Sequence, residues 1–326
     1  MTPRRAIVVG ALSLAVASCS TGSPGFEATS TPVVSSLPTV TADVAVPGTI
    51  VLVPDPPPDG ATVCDRFVTI ETTGTVNMIG LTEISGVAAS RSRPGVLWAH
   101  NDSGGAAAVT AIGADGTDLG TWTLDGVSAL DWEDIALGPG PDPTLDYLYI
   151  GDIGDNLAFR PDVMVYRVPE PAEEGDGVIT DVTRLRLVYP EPGVDAEALA
   201  VDPVTGDLLV VSKDGADAAV VYRARAGRFG ADPVLLLKPI AELDLGAQVT
   251  AADVTADGTV VALRGYREVW MWTRQDADLA AAFSAGPCMA PSPDEVQGEA
   301  LSFQGNGRAY YTVSEGAGPA VHRIGP

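Results

Sequence analysis

Short apolar segments recur along this chain, and each opens on polar or acidic positions. Five such segments begin at Glu83, Asp131, Asp195, Thr250 and Gln297. A turn signal follows each one, and then a second strand rich in β-branched and aromatic residues, as in Tyr147-Leu-Tyr-Ile-Gly-Asp152. The segments start roughly 50 residues apart, which is the spacing of four-stranded propeller blades. The pattern therefore predicts an all-β fold, a five-bladed β-propeller.

The fifth repeat predicts how the ring closes. It has strands for three positions, ends at Val321-His-Arg-Ile324 and lacks a fourth strand. The segment Arg66-Phe-Val-Thr-Ile-Glu71 can supply the missing strand from the N-terminal side, which leaves no sheet edge open. A sixth blade drawn from residues 40–80 is the alternative, although that stretch lacks the motif. In the third repeat we expect Pro233-Val-Leu-Leu-Leu to form the fourth strand.

The N-terminus has the features of an export signal. Arg4 and Arg5 precede an apolar run, Ala6 to Ala17, that is short for a membrane span. The run ends in Val16-Ala17-Ser18-Cys19, which resembles the lipobox of bacterial lipoproteins. Residues 1–18 are thus predicted to be a lipoprotein signal peptide, with a lipid anchor on Cys19 at the outer face of the cell membrane. An ordinary secretory signal with an incidental cysteine is the alternative.

The mature chain is expected to contain a stalk and one domain. Residues 19–60 are mostly Ser, Thr, Pro, Val and Gly, so they bury too little surface to offset their ordering entropy. We expect a disordered stalk here and a propeller over residues 61–326. Cys64 and Cys288 remain after acylation, and in an oxidising compartment they are expected to form a disulfide. The net charge of −24 excludes nucleic acid as a natural partner and leaves the lipid anchor as the only expected membrane contact.

Aligning the repeats places acidic residues around the central channel. The first strand of each propeller blade lines the channel, so the third position of the five segments forms a ring: Ser85, Glu133, Glu197, Ala252 and Glu299. The first residue of each segment lies two positions before the ring residue, so its side chain is expected on the same side of the strand as that of the ring residue. The ends of the second strands converge on the same face and contribute Asn101, Asp152, Lys213, Arg264 and Glu315.

Three ionised glutamates in one ring repel each other. At about 6 Å and an effective dielectric near 20, each pair costs about 3 kcal/mol. Partial protonation, neutralisation by Lys213 and Arg264, or a cation on the axis would relieve this repulsion. Calcium suits such a ring because it takes about six to eight oxygen ligands. A structural role is also open, since carboxylates that accept backbone N–H groups of the next blade would hold blade to blade.

The ring, the blade spacing and the pairs Glu83-Ile-Ser85 and Asp131-Trp-Glu133 resemble the five-bladed calcium-activated nucleotidases, secreted apyrases with an axial calcium. They also resemble phytase-like propellers, whose substrates are phosphoesters. The nucleotidase resemblance implies that the calcium ligands are Ser85, Glu133, Glu197 and Glu299. The fourth blade departs from that family, because Ala252 stands where the family carries a serine.

Two functions are compatible with these features. One is a cell-envelope propeller that binds a small anionic ligand or an envelope protein partner at an acidic axial site, with calcium as its cofactor. The alternative is a calcium-dependent hydrolase of a phosphoester or related anionic substrate. In that enzyme, Lys213 and Arg264 would hold the phosphate, and Asp152 and Glu315 would complete the catalytic set. Asp102, Asp152, Asp155 and Asn156 would complete the metal site or orient a water.

Overall fold

The computed structural model describes residues 60–102, 105–213, 218–275 and 277–326. The predicted signal peptide, Cys19 and nearly all of the predicted stalk lie outside the described residues. The strands are β1 (Thr69–Thr75), β2 (Ile84–Ala89), β3 (Val96–Asn101), β4 (Ala108–Gly113), β5 (Asp118–Leu124), β6 (Trp132–Pro139), β7 (Asp146–Asp152), β8 (Val163–Pro169), β9 (Gly177–Ile179), β10 (Thr183–Val188), β11 (Ala196–Val201), β12 (Leu208–Ser212), β13 (Ala219–Ala224), β14 (Leu235–Leu236), β15 (Lys238–Leu243), β16 (Ala251–Val254), β17 (Val260–Arg264), β18 (Val269–Thr273), β19 (Cys288–Ala290), β20 (Gly298–Phe303), β21 (Tyr310–Ser314) and β22 (Ala320–Gly325). Three short 3-10 helices cover Val63–Arg66, Ala226–Arg228 and Leu279–Ser284. Within the described residues, no helix is both long and apolar enough to cross a membrane.

The strands form five sheets arranged in a ring, a five-bladed β-propeller. From the axis outward, blades 1 to 5 are β2-β3-β4-β5, β6-β7-β8-β10, β11-β12-β13-β15, β16-β17-β18-β19 and β20-β21-β22-β1. The innermost strands β2, β6, β11, β16 and β20 contact one another in that order, and β20 contacts β2. The expectation of an all-β, five-bladed propeller is therefore confirmed.

Burial follows the position of each strand in its blade. Every residue of the innermost strands β2, β11 and β20 is buried, whereas the outermost strand β1 is largely exposed. The inner strands are rich in Ala, Gly, Val and Leu, which suits strands covered on both faces. Large aromatic residues fill the spaces between blades; Trp98 and Trp132, for example, pack in one cluster between blades 1 and 2. The core is thus a series of interfaces between neighbouring blades.

The N-terminal strand closes the ring as expected. β1 pairs antiparallel with β22, so it is the outermost strand of blade 5. Cys64, just before β1, forms a disulfide with Cys288 at the start of β19 in blade 4. The bridge spans 224 residues of sequence and links the closing segment to the neighbouring blade. The predicted disulfide is therefore confirmed, and it fixes the segment before β1 to the outermost strand of blade 4.

Two short strands cross between blades. β9 pairs parallel with β5 and adds a fifth strand to blade 1, and β14 does the same to blade 2 through β10. The expectation that the apolar run 233–237 forms the fourth strand of blade 3 is wrong, because Leu235–Leu236 pairs with the preceding blade and Lys238–Leu243 takes the fourth position. The chain thus stitches neighbouring blades together at their outer edges.

Four of the five innermost strands carry a β-bulge at the predicted ring position. The pairing of β2 with β3 skips Ser85, and the same irregularity skips Glu133, Glu197 and Glu299 in their blades. A bulged residue is unpaired and its side chain is redirected. Blade 4 has a regular register, in which Ala252 pairs with Leu263. Placing Ala252 in the ring is therefore wrong, because blade 4 lacks the extra residue that a bulge provides.

Carboxylates near the axis hold neighbouring blades together. Asp134 accepts hydrogen bonds from the backbone N–H of Leu199 in blade 3 at 2.8 Å and of Ala252 in blade 4 at 3.1 Å. Asp253 accepts hydrogen bonds from the Phe303 N–H and the Ser302 hydroxyl in blade 5. Carboxylates of the acidic segments thus do hold blade to blade, as one of the alternatives predicted. The carboxylates that do so are Asp134 and Asp253, each one residue after a ring position.

Candidate functional site

A polar cavity of about 250 Å³ opens at the end of the channel where the innermost strands begin. Its walls contain six carboxylates and one basic side chain among the described residues. The lining residues are Glu83, Ile84, Ser85, Asp102, Glu133, Asn156, Glu197, Lys213, Tyr266, Gln297, Glu299 and Glu315. An apolar ligand would find almost no matching surface here, so the cavity suits a cation or a strongly polar group.

All four predicted calcium ligands line this cavity. Ser85, Glu133, Glu197 and Glu299 are each buried, and each is the bulged residue of its strand. The Ser85 hydroxyl donates to Glu133 at 3.5 Å, the outer limit of a hydrogen bond. The bulges therefore explain how one residue from each of four blades reaches a common space.

Lys213 supplies the positive charge of the cavity. It follows β12, and its ammonium group donates a hydrogen bond to Glu197 in an ion pair. Burial by itself would lower the pKa of Lys213. The charge of the Glu197 carboxylate and its hydrogen bond to Lys213 act in the opposite direction, and the net effect is a raised pKa. Lys213 thus acts as a tethered counter-ion on the blade 3 side of the cavity.

A tighter cluster of oxygens lies between blades 1 and 2. Asp102, Asp131 and Glu133 each offer one carboxylate oxygen, and these oxygens lie within 4.8 Å of one another. The backbone of Asp102 is fixed on both sides: its N–H donates to the Glu83 carbonyl, and its carbonyl accepts from the Trp132 N–H. This arrangement of backbone bonds holds the end of blade 1 against the start of blade 2.

Gly154 leaves room for this cluster. A Cβ atom at Gly154 would lie 2.1 Å from one Glu133 oxygen and 2.6 Å from an Asp131 oxygen. Contacts that short do not occur, so any larger residue would displace both carboxylates. The glycine therefore has a positional role, in the polar segment that follows strand β7.

Two oxygens of the cavity walls are buried and have no hydrogen-bond partner. They are Oδ1 of Asp102 and Oε2 of Glu197, a residue that is only 5% exposed. A buried acceptor without a partner costs about 1–3 kcal/mol. The cavity thus has unmet capacity to bind a cation or a hydrogen-bond donor.

Burial and mutual repulsion raise the pKa values of the acidic groups. Burial, together with neighbouring carboxylates, raises the pKa of Glu133 to about 10 and that of Glu299 to about 8. The same causes raise the pKa of Asp102 to about 6. For Glu197, burial outweighs the Lys213 charge and raises the pKa to about 7. Partial protonation and a tethered lysine therefore both relieve the repulsion expected in the ring.

The four predicted catalytic residues separate into two groups. Lys213 and Glu315 line the cavity, and Glu315 accepts a hydrogen bond from the Gln297 side chain. Arg264 is fully buried, and its guanidinium binds Glu295 and the Ala300 carbonyl across the blade 4–5 interface.

Asp152 is also away from the cavity lining. It forms an ion pair with Arg160 at 2.8 Å and accepts from the backbone N–H groups of Leu130 and Asp131. The structure therefore brings Lys213 and Glu315 into the cavity but not Arg264 and Asp152. Both are buried links that hold the walls of the site in place.

Several residues of the site were missed by the sequence reasoning. Tyr266, from the turn between β17 and β18, is the lining residue that blade 4 contributes. Glu295 and Arg160, the partners of the two misplaced residues, lie in loops where no hydrophobic periodicity marks them. The segment around Gly154 carried a recognisable signal, since a run of Asp, Gly and Asn extends the end of a buried strand.

Comparisons with known proteins identify no family. No family model matches the chain, and no curated protein matches it. Among solved structures the chain is similar to one titled "Structure of U3-55K", with 10% identity and a TM-score of 0.39 over 79% of this chain and 98% of that chain. A likeness of that size carries no argument about the site. The comparisons thus give no support to the resemblance to nucleotidases or phytase-like propellers, and the fold is established by the five sheets themselves.

Proposed function

We propose that this protein is a binding propeller whose acidic cavity holds a calcium ion. The observation that carries the proposal is the cluster of Asp102, Asp131 and Glu133, whose oxygens lie within 4.8 Å of one another. The Oδ1 atom of Asp102, which is buried and has no hydrogen-bond partner, supports a cation at this cluster. The donors are all oxygens, which suits a hard divalent cation and disfavours the transition metals that select nitrogen or sulfur.

The cation is expected on the blade 1–2 side of the cavity. Lys213 already pairs with Glu197 on the other side, whereas no ion pair among the described residues involves Asp102, Asp131 or Glu133. A cation bound there would displace the proton that Glu133 holds in its absence. Ser85 and Asn156 line the same cavity and offer further oxygens. A bound calcium ion would place positive charge in this acidic cavity. A small anionic ligand or a carboxylate of an envelope protein partner could then bind to the ion.

The alternative, a calcium-dependent phosphoester hydrolase, has weaker support. It would have to act with Lys213 and Glu315, because Arg264 and Asp152 are engaged elsewhere. Lys213 itself is bound to Glu197. Calcium-dependent release of phosphate from p-nitrophenyl phosphate, lost in Lys213→Met, would favour the hydrolase over the binding function.

The test is a calcium titration by calorimetry. We expect one calcium ion per chain and at least a tenfold (~1.4 kcal/mol) loss of affinity in Glu133→Gln. Glu242→Gln removes the same charge from an exposed position on β15 and is the matched control. Absence of binding up to about 1 mM calcium, the weak end of extracellular sites, would contradict the proposal.

We also propose that the chain is a lipoprotein of the cell envelope, anchored through Cys19 at the outer face of the membrane. The support is the lipobox-like sequence at Val16-Ala17-Ser18-Cys19. Labelling of expressing cells with an alkyne fatty acid tests it. Label is expected on the wild-type chain and absent from Cys19→Ser; equal labelling of the two would contradict acylation at this residue.

A further inference from the structure

A second cleft lies on the opposite face of the propeller. It has a volume of about 440 Å³ and sits between blades 2 and 3. Pro139, the last residue of β6, and Pro203, just after β11, line it. The acidic cavity lies at the beginnings of the innermost strands, whereas the second cleft lies at their ends, so the two sites share no lining residue and open on opposite faces. The second cleft is therefore independent of the calcium proposal.

The chemistry of this cleft differs from that of the rest of the protein. Its walls combine polar groups, such as the Arg167 side chain and Thr205, with the apolar side chains of Pro139, Pro141, Pro203, Val204, Tyr149 and Phe229. The chain contains 43 acidic residues, yet none of them lines the cleft, and Arg167 is the sole charged side chain among its described lining residues. The sign of that one charge determines which ligands fit.

Arg167 has no carboxylate partner among the described residues, where each ion pair joins other groups. Its guanidinium lies over the Tyr147 ring, 5.7 Å from the ring centre, and beside the Tyr149 hydroxyl. Its Nε atom is buried and has no hydrogen-bond partner. A buried donor without an acceptor is costly. The Arg167 guanidinium therefore favours a ligand that carries a hydrogen-bond acceptor.

The backbone keeps this arginine in place. A Cβ atom at Gly140 would lie 2.2 Å from the Tyr147 ring, so a larger residue would displace the ring on which Arg167 stacks. Gly206 borders the cleft with φ +74°, a conformation that other residues rarely adopt. Both glycines thus help to shape a preformed site, as ligand clefts usually are.

We infer that this cleft binds a small organic carboxylate with a flat apolar body. The guanidinium presents a planar fork that matches the two oxygens of a carboxylate. The proline and aromatic side chains provide the apolar wall, and the volume falls in the range of small-molecule sites. The carboxylate would contact Arg167, and the apolar body would pack against Phe229 and the prolines.

Two probes of the same shape test this inference. The purified protein is titrated with 2-naphthoate and with 2-naphthylmethanol, which has the same rings and no charge. Charge-assisted hydrogen bonds contribute enough that naphthoate is expected to bind at least about tenfold more tightly than the alcohol. In Arg167→Met this preference is expected to vanish. Arg308→Met removes an equal charge from an exposed turn of blade 5 and is expected to retain it.

Three results would overturn the inference. They are equal binding of the two probes to the wild-type protein, unchanged naphthoate affinity in Arg167→Met, and inorganic phosphate binding as tightly as naphthoate. If Arg167→Met does not fold, Arg167→Lys replaces it, because lysine keeps the charge but lacks the fork. That variant is expected to bind naphthoate several-fold more weakly and the alcohol equally well, and an unchanged naphthoate affinity would refute the assignment.

Discussion

Asp134 offers the sharpest test of how this propeller is held together. Its carboxylate is fully buried and accepts backbone N–H groups from blade 3, at Leu199, and from blade 4, at Ala252. The side chain itself belongs to blade 2, so one carboxylate connects three innermost strands. Replacing it by alanine, Asp134→Ala, leaves both N–H groups without an acceptor where water has no access.

The expected loss follows from these two bonds. An orphaned buried donor costs about 1–3 kcal/mol, so Asp134→Ala is expected to lower the free energy of unfolding by about 2–6 kcal/mol. Domains of this kind are stable by about 5–15 kcal/mol, so the loss is a large share of the total. Asp134→Asn keeps one acceptor oxygen and is expected to fall between alanine and the wild type.

Urea unfolding followed by tryptophan fluorescence measures this loss. Asp142→Ala is the control, because Asp142 is an exposed turn residue that accepts hydrogen bonds from Thr144 within its own loop. The control is expected to lose no more than about 1 kcal/mol. If Asp134→Ala also loses less than about 1 kcal/mol at an unchanged slope, the carboxylate does not hold the blades together and the reasoning fails.

Three further predictions concern the acidic cavity and the closure. In calcium-free buffer the folded state keeps protons on Glu133 and Glu299, whose pKa values are about 10 and 8, while the unfolded chain releases them above its ordinary value of 4.5. The midpoint of thermal unfolding should therefore fall as pH rises from about 5 to 8, and less steeply in Glu133→Gln; a midpoint that rises instead would contradict the shifts. Gly154→Ala should weaken calcium binding at least about tenfold, because the added Cβ displaces the Glu133 carboxylate although no oxygen ligand is removed. An unchanged affinity in the titration would show that Glu133 is not a calcium ligand. Cys64→Ser removes a disulfide that spans 224 residues, and it should lower the free energy of unfolding in urea by about 2–5 kcal/mol. Adding reductant should not lower the free energy of unfolding of this variant any further.

The blade architecture was predictable because each blade repeats the same signals. Five copies of a polar start, a buried strand and a turn leave few alternatives, and the missing fourth strand of the last repeat indicates where β1 must pair. The cysteine pair could be predicted for a different reason, since two thiols flank the closure in a chain whose N-terminus predicts export. These features depend on the spacing of the repeats and on the number of strands and cysteines, all of which are visible in the sequence.

The assignment of a short apolar run to a sheet was not predictable. Leu235–Leu236 reads as a strand, but periodicity does not reveal which of two neighbouring sheets it joins. The partners of buried arginines were equally hidden. Arg264 pairs with Glu295, which is 31 residues away in a loop, and only the packing of blade 4 against blade 5 brings the two together.

The fourth blade shows why a ring read from aligned sequences can mislead. Strict alternation along a strand places every second residue on the same side, but a bulge inserts one residue and resets that count. Four blades carry the insertion at Ser85, Glu133, Glu197 and Glu299, and blade 4 pairs without it. Its difference from the other blades is therefore a missing residue, and no substitution at Ala252 would restore a ligand.

This missing residue makes the cavity asymmetric. Blade 4 contributes Tyr266 to the lining in place of a carboxylate, while carboxylates converge where blades 1 and 2 meet. Lys213 neutralises the blade 3 side through Glu197. Among the described residues, a cluster of carboxylates that no ion pair holds therefore lies away from the axis, at Asp102, Asp131 and Glu133, where a bound cation would replace the proton on Glu133. The geometry of this propeller thus favours an off-axis cation site over one centred on a symmetrical ring.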